Sequence, residues 1–185
     1  TTLAEKNYEF DYESFQIEAI LMKEIQHLAK QNTTTPFLII LSAWMLIMNR
    51  LTGQETIFID TAINLRPAKL HNLIGFFVNN LPMFLSFSNQ MNGVEMFNQL
   101  TLQRKQLKKV QQFSFPEIAV ALKEKKQTNI LGNTNVGINF VGWSDSLHIP
   151  FENVDCKFYK RLDNFSTFDL LLEVDPTSGY ARICY

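Results

Sequence analysis

TPFLIILSAWMLIMNRLTGQETIFIDTAIN, residues 35 to 64, contains a change of structural period that decides the fold class. Thr35 followed by Pro36 pairs an N-cap with a first-turn proline, and the apolar run that starts at Phe37 continues until Gly53 supplies a stop. This predicts a helix to about Leu51, apolar all round and therefore buried. TIFIDTAI, residues 56 to 63, is short, branched and apolar on both faces, which predicts a central strand covered by helices. The stretch from Phe37 to Met48 falls short of the ~20 residues that cross a bilayer and carries Ser42, so no membrane span is expected.

Working outward, NYEFDYESF, residues 7 to 15, alternates aromatic and polar as a strand does, and the spacing turns helical through Ile17, Ile20, Leu21, Ile25 and Leu28. Asn64 to Leu70 reads as a loop around Pro67. IGFFVNNLPM, residues 74 to 83, reads as an apolar strand that carries two adjacent amides, Asn79 and Asn80. An idle buried amide costs ~1–3 kcal/mol, so these two side chains require a compensating partner. Asn92 and Glu95 have capping-box spacing for a helix with Phe97, Leu100, Leu107 and Val110 on one face and basic residues on the other. Ser114 and Glu117 repeat that spacing and start a further helix in FSFPEIAVALKEK. Strands follow at VGINFVG (136 to 142), FDLLLEVD (168 to 175) and YARICY (180 to 185), the last two joined by the turn PTSG. The sum is an α/β lobe in which a mixed β-sheet is packed with helices.

Composition narrows the function. The chain has 185 residues, 46% hydrophobic and 19% charged, enough to bury a sizeable core in one domain or one large lobe. A net charge of -1 gives no overall attraction to nucleic acid. Cys156 and Cys184 are too few and too distant for a disulfide scaffold, which fits a cytoplasmic location. His27, His71 and His148 each lack a second His or Cys at ligand spacing, so no metal site is expected. There is no nucleophile turn of the Gly-x-Ser-x-Gly kind and no glycine-rich phosphate loop. Asp145 and His148, in WSDSLH, are the one local acid and imidazole pair, either a solvated turn or an acid/base couple. These residues alone name no reaction.

A resemblance does. Residues 35 to 64, followed by LIGFFVNNLPMFL, closely resemble the second half of the condensation domains of nonribosomal peptide synthetases. Arg50, Leu51, Thr52, Gly53 and Gln54 match that family's Arg-(Tyr/Leu)-Thr-Gly-Gln turn, and Ile74 to Pro82 match its Ile-Gly-Phe-Phe-Val-Asn-Thr-Leu-Pro segment, with Asn80 in place of Thr. QQFSFPEIAVAL keeps only the general shape of the family's His-Gln-Asp-x-Pro-Phe-Glu segment, and GINFVGWSD is similar to its Phe-Asn-Tyr-Leu-Gly segment.

The resemblance implies a fold of two lobes similar to chloramphenicol acetyltransferase with a tunnel between them, this chain being the C-terminal lobe. Donor and acceptor carrier proteins would bring substrates on phosphopantetheine arms, no cofactor being bound directly, and an amine would attack a thioester to form an amide. The family's hallmark His-His-x-x-x-Asp-Gly belongs to the N-terminal lobe and does not occur here, so no catalytic residue is assigned and the lone lobe is expected to be inactive and prone to self-association. Asn79 maps to the tunnel and lobe interface, where it would bond a pantetheine arm, a substrate amide or the other lobe; alternatively it closes a bulge or turn before Pro82. Asn80 faces the opposite way, and Gly75 permits close backbone approach. Phe76, Phe77 and Val78 read as core or interface, Trp44 as core, and Trp143 as a residue of the tunnel mouth or an anchor for its loop. Arg104, Lys105, Lys108 and Lys109 form a basic stripe, either a dock for an acidic carrier protein or an ordinary solvated face. Two competing functions remain: an ester-forming acyltransferase of the same superfamily, faintly suggested by INLRP at residues 63 to 67, and a non-catalytic docking platform.

Overall fold

The computed structural model describes residues 11–124, 135–141 and 168–185. In chain order these hold β1 (Tyr12–Gln16), α1 (Ala19–Gln31), α2 (Pro36–Thr52), β2 (Thr56–Asn64), β3 (Val78–Ser86), α3 (Gly93–Leu107), α4 (Phe115–Glu124), β4 (Val136–Phe140), β5 (Leu170–Val174) and β6 (Tyr180–Cys184). The strands form one mixed sheet ordered β1-β6-β5-β4-β2-β3. β2 runs parallel to β4 and β4 to β5, while the β2–β3, β5–β6 and β1–β6 pairs are antiparallel.

The local signals that start and stop the helices act as the sequence predicts. Thr35 accepts a hydrogen bond from the Leu38 N–H at the head of α2, and Gly53 ends that helix in the left-handed conformation at φ 68°. Asn92 and Glu95 complete a reciprocal capping box on α3. At α4 the box is rearranged: both the Ser114 N–H and its hydroxyl donate to Glu117 Oε2, at 2.7 Å each, and these bonds hold the Glu117 carboxyl below its ordinary pKa. α2 bends by 104° from α1, and among the described residues no single helix is long and apolar enough to cross a membrane.

The core lies on one face of the sheet. Met22 and Ala29 of α1, eight residues of α2 including Leu41, Trp44 and Met45, and Met96, Phe97 and Leu100 of α3 are all buried. They pack with Ile57 and Ile59 of β2, Met83 and Leu85 of β3, Ile138, Leu172, Val174 and Ala181. At its margin Phe37 meets Phe140 edge-on, with centroids 5.0 Å apart. The β5–β6 turn is fixed by Gly179, at φ 76°, where a Cβ would run into the Ile17 carbonyl; that glycine also accepts the Ile17 N–H at 2.8 Å.

Three expectations need correction. β2 is covered on one face only: Ile57, Ile59, Thr61 and Ile63 are buried, whereas Ala62 and Asn64 on the other face are exposed. The strand predicted from residue 74 begins at Val78, and Ile74 and Phe76 are 99% and 90% exposed, so Phe76 is not core. The reason is Arg66, which engages carbonyls of residues 70 to 75 and so satisfies that backbone outside the ladder. α3 ends at Leu107, which leaves Lys108 as its cap, Lys109 in the following turn and Val110 42% exposed.

Candidate functional site

Residues 64 to 86 and the chain that packs beside them bring together most of the polar chemistry on the β2–β3 side of the sheet. Arg66 organises the connecting loop. Its N–H donates to Asn64 Oδ1 at 2.8 Å, Nη1 donates to the Leu70 carbonyl at 3.1 Å and to the Leu73 carbonyl, and Nη2 reaches the Gly75 carbonyl at 3.4 Å. The guanidinium lies 4.3 Å from the centroid of Phe77. A Cβ on Gly75 would sit 2.9 Å from the Phe77 ring, so the glycine makes room for the ring that Arg66 covers, and this is the close approach it permits. With its backbone so held, the loop presents Leu73, Ile74 and Phe76 to solvent. Sequence reasoning did not select Arg66; its one signal was an Arg beside Pro67 in a loop with many carbonyls to satisfy.

Asn79 and Asn80 face opposite ways, as strand geometry requires. Asn79 shares the helix-covered face with Leu81, Met83 and Leu85, and Asn80 is exposed on the other. The Asn79 amide donates both its hydrogens, to the carbonyls of Gln111 and Phe113, at 2.8 Å each. The amide therefore ties the segment ahead of α4 to β3 rather than closing a turn before Pro82, and what it retains for any other partner is its Oδ1 acceptor. Among the described strands β3 is at the sheet edge, and Gln103 of α3 caps it there: its Oε1 accepts from the Phe84 N–H at 3.1 Å and its Nε2 donates to the Phe84 carbonyl at 2.7 Å. Pro82, two residues before Phe84, has no N–H to leave unpaired on the same edge.

The basic stripe divides. Lys105, Lys108 and Lys109 are exposed, whereas Arg104 is half-buried, its Nη1 is buried without a hydrogen-bond partner, and burial lowers its pKa. Arg104 thus leaves the solvated stripe. Trp44 is core, as expected, although its indole N–H is unpartnered. His27 pairs with Gln31 at 2.8 Å and His71 with the Ala68 carbonyl at 3.0 Å, both in exposed positions. Among the described residues no three His, Cys, Asp or Glu side chains gather as a metal site. Trp143, Asp145, His148 and Cys156 lie outside the described residues.

On the face of the sheet opposite the helices, two carboxylates of the described strands, one on β5 and one on β2, stand in contrasting settings. Glu173 of β5 is 5% exposed and is met by Arg182 of β6, whose Nε and Nη2 both lie 2.6 Å from Oε2. Arg182 in turn stands 5.4 Å from the Tyr12 ring of β1. Asp60 of β2 has no such partner. Its Oδ1 is buried without a hydrogen bond, and desolvation raises the carboxyl pKa to about 6.

Comparison with known proteins places this arrangement. The model of the family described as Condensation domain matches residues 1–184. Gramicidin S synthase 2 of Aneurinibacillus migulanus is 25% identical over 190 residues, covering 97% of this chain and 4% of that protein. Malpibaldin synthetase of Mortierella alpina is 33% identical over 78 residues, which is 42% of this chain and 1% of that one. Among solved structures, the four-domain nonribosomal peptide synthetase AB3403 matches with a TM-score of 0.80 at 18% identity, covering 96% of this chain and 15% of that one. The condensation domain of Monacolin K polyketide synthase matches with a TM-score of 0.72 at 16% identity, over 97% of this chain and 42% of that one. The chain thus spans a small part of the synthetases and less than half of the solved domain.

Proposed function

The chain belongs to the condensation-domain family, and from that premise we propose that it is the C-terminal lobe of a domain that forms an amide bond between a carrier-bound thioester and an amine acceptor. The observation that carries this reading is a β2–β3 hairpin packed under helices on one face while Ala62, Asn80 and Phe84 are exposed on the other, in a chain that matches 42% of a solved condensation domain. A lobe that builds its own core and leaves polar and aromatic side chains of β2 and β3 exposed opposite it is what half of a two-lobed domain needs.

In this reading the acceptor amine attacks the thioester carbonyl, the C–N bond forms, the C–S bond breaks, and the amine proton passes to the departing thiol by way of a base. That base is the hallmark histidine of the missing lobe; the three histidines of this chain are at positions 27, 71 and 148, and no two adjoin. This lobe's contribution is to shape and wall the tunnel. Asn79 fixes the segment at residues 111 to 113 against β3 and keeps one acceptor, Oδ1, for a pantetheine or substrate amide N–H. Asn80 supplies a carboxamide to the open face, Gly75 sets the loop that edges it, and Trp143 stands as a candidate for the tunnel mouth. Lys105, Lys108 and Lys109 offer an exposed positive patch to an acidic carrier protein.

The test is complementation. The 185-residue chain, mixed with loaded donor and acceptor carrier proteins, should give no amide product, and adding the N-terminal lobe should restore single-turnover condensation. In the restored system Asn79→Ala should slow that turnover by about tenfold, equivalent to ~1.4 kcal/mol in the barrier. Turnover by the chain alone would overturn the two-lobed reading, and an unchanged rate with Asn79→Ala would remove that residue from the site.

A further inference from the structure

On the sheet face opposite the helices, the described strands fall into two halves, one with its carboxylate paired and the other with its carboxylate unpaired. In the β5–β6–β1 half, a carboxylate (Glu173), a guanidinium (Arg182) and an aromatic ring (Tyr12) form a layered set. In the β2–β3 half the carboxylate is Asp60 and the rings are Phe58 and Phe84, whose centroids lie 5.5 Å apart. A guanidinium is the element this second set lacks.

The surroundings of Asp60 leave space for one. Directly across the sheet stand Pro82 on β3 and Gly137 on β4, neither of which carries a polar side chain. One step along, exposed Ala62 is flanked by Asn80, so the floor beside the carboxyl is small and polar. The other charged groups on this side among the described residues, Asp169, Glu173, Asp175 and Arg182, belong to the β5 and β6 side, two or three strands from β2. Arg182 is already committed to Glu173 and Asp169 accepts from Asn135 at 2.7 Å. Asp60 as a whole is only half-buried although its Oδ1 is not exposed, and Ala62 and Asn80 beside it meet solvent.

We propose that the Asp60 face is a docking surface for an arginine side chain from the part of the condensation domain that lies outside these residues, with the carboxylate taking the guanidinium and Phe58 and Phe84 lining its stem. Two observations select this occupant. The charge complementarity is specific, since a buried carboxylate with no donor is costly unless a cation meets it. The chain also matches only 42% and 38% of two solved condensation-domain chains, so most of such a domain remains to supply the partner. Arginine fits better than lysine because its planar head pairs with a carboxylate while lying near an aromatic ring, as Arg182 does here with Glu173 and Tyr12. The inference rests on the two-lobed reading but is tested separately from it.

Carboxyl-detected NMR of Asp60, with thermal unfolding of Asp60→Asn, is read in the 185-residue chain and in the complete domain. In the chain alone the carboxyl should titrate at about 6, above its ordinary 3.8, so the folded state holds the proton more tightly than the unfolded one. Stability should then fall as pH rises from 3.8 to about 6, and Asp60→Asn should raise the melting temperature at neutral pH. In the complete domain the signs should reverse: the carboxyl titrates below 3.8, and Asp60→Asn lowers the melting temperature and weakens assembly of the two separately made lobes by about tenfold or more. A titration still near 6 in the assembled domain, or stabilisation by Asp60→Asn in both forms, would overturn the proposal. So would a titration that drops only when an amine-bearing acceptor is added, which would make the occupant the substrate. Lobes that fail to associate at all would sink the two-lobed reading itself.

Discussion

The two faces of the β2–β3 hairpin are built from alternate residues of the same nine-residue strands, yet they differ in almost every physical respect. On the covered face Ile59, Leu81, Met83 and Leu85 are 0% exposed, and Ile59, Met83 and Leu85 belong to the core built with helices of the same chain. On the other, Phe84 is 44% exposed, Asn80 and Ala62 meet solvent, and Asp60 keeps an unsatisfied oxygen. The difference teaches where the chain's own folding ends. Burial of ~25 cal/mol per Å² of apolar surface drives the covered face to completion, while the open face holds groups whose cost is accepted in the fold and offset only by a partner.

The largest effect should come from breaking the covered face. Ile59→Ala removes branched volume from a fully buried core site and should destabilise the chain by about 2–5 kcal/mol in chemical denaturation. A loss below about 1 kcal/mol would mean that this face is not close-packed, and the contrast between the faces would disappear.

An intermediate effect should follow from Arg66→Ala, which acts at the border between the faces. Three carbonyls lose a charged donor, and with partial solvent access the net loss should be about 1–2 kcal/mol, accompanied by faster proteolytic cleavage between Leu65 and Phe77. Arg66→Lys should not restore resistance to the protease, because an ammonium lacks the fork that spans separate carbonyls. Full rescue by lysine would show that charge alone orders the loop.

The smallest effect on stability belongs to the exposed loop tip. Ile74→Ser should change unfolding free energy by no more than about 0.5 kcal/mol, since the side chain is 99% exposed. It should nevertheless reduce self-association of the chain at high concentration in sedimentation velocity, because Ile74 and Phe76 offer apolar surface without a partner. Loss of stability with no change in association would place Ile74 in the core's service and remove the distinction drawn between loop and strand.

Much of the architecture was legible because its signals are short-range. The Thr35 cap, the Gly53 stop and the Asn92–Glu95 box each act across three or four residues or fewer, and all three are formed. The strands at residues 136, 170 and 180 were visible as periodic apolar runs for the same reason. The candidate site was less legible. Asn79 was selected correctly as an amide needing partners, but those partners lie 32 and 34 residues further along, and no spacing rule points to them. The basic stripe was drawn from helical periodicity continued past Leu107, where the helix has ended, and Arg104 was counted as solvated although packing partly buries it.

The sequence by itself determined the family resemblance, the order of helices and strands, and where α2, α3 and α4 begin, since caps, periodicity and a matched motif are properties of contiguous residues. Only the tertiary structure decided that β2 is covered on one side, that Arg66 gathers the carbonyls of residues 70 to 75, and that Asp60 stands without the guanidinium Glu173 enjoys. The physical reason is that side-chain alternation fixes which residues share a face of a strand, but which face meets helices, and which charges meet each other, depends on the pairing of segments far apart in the chain.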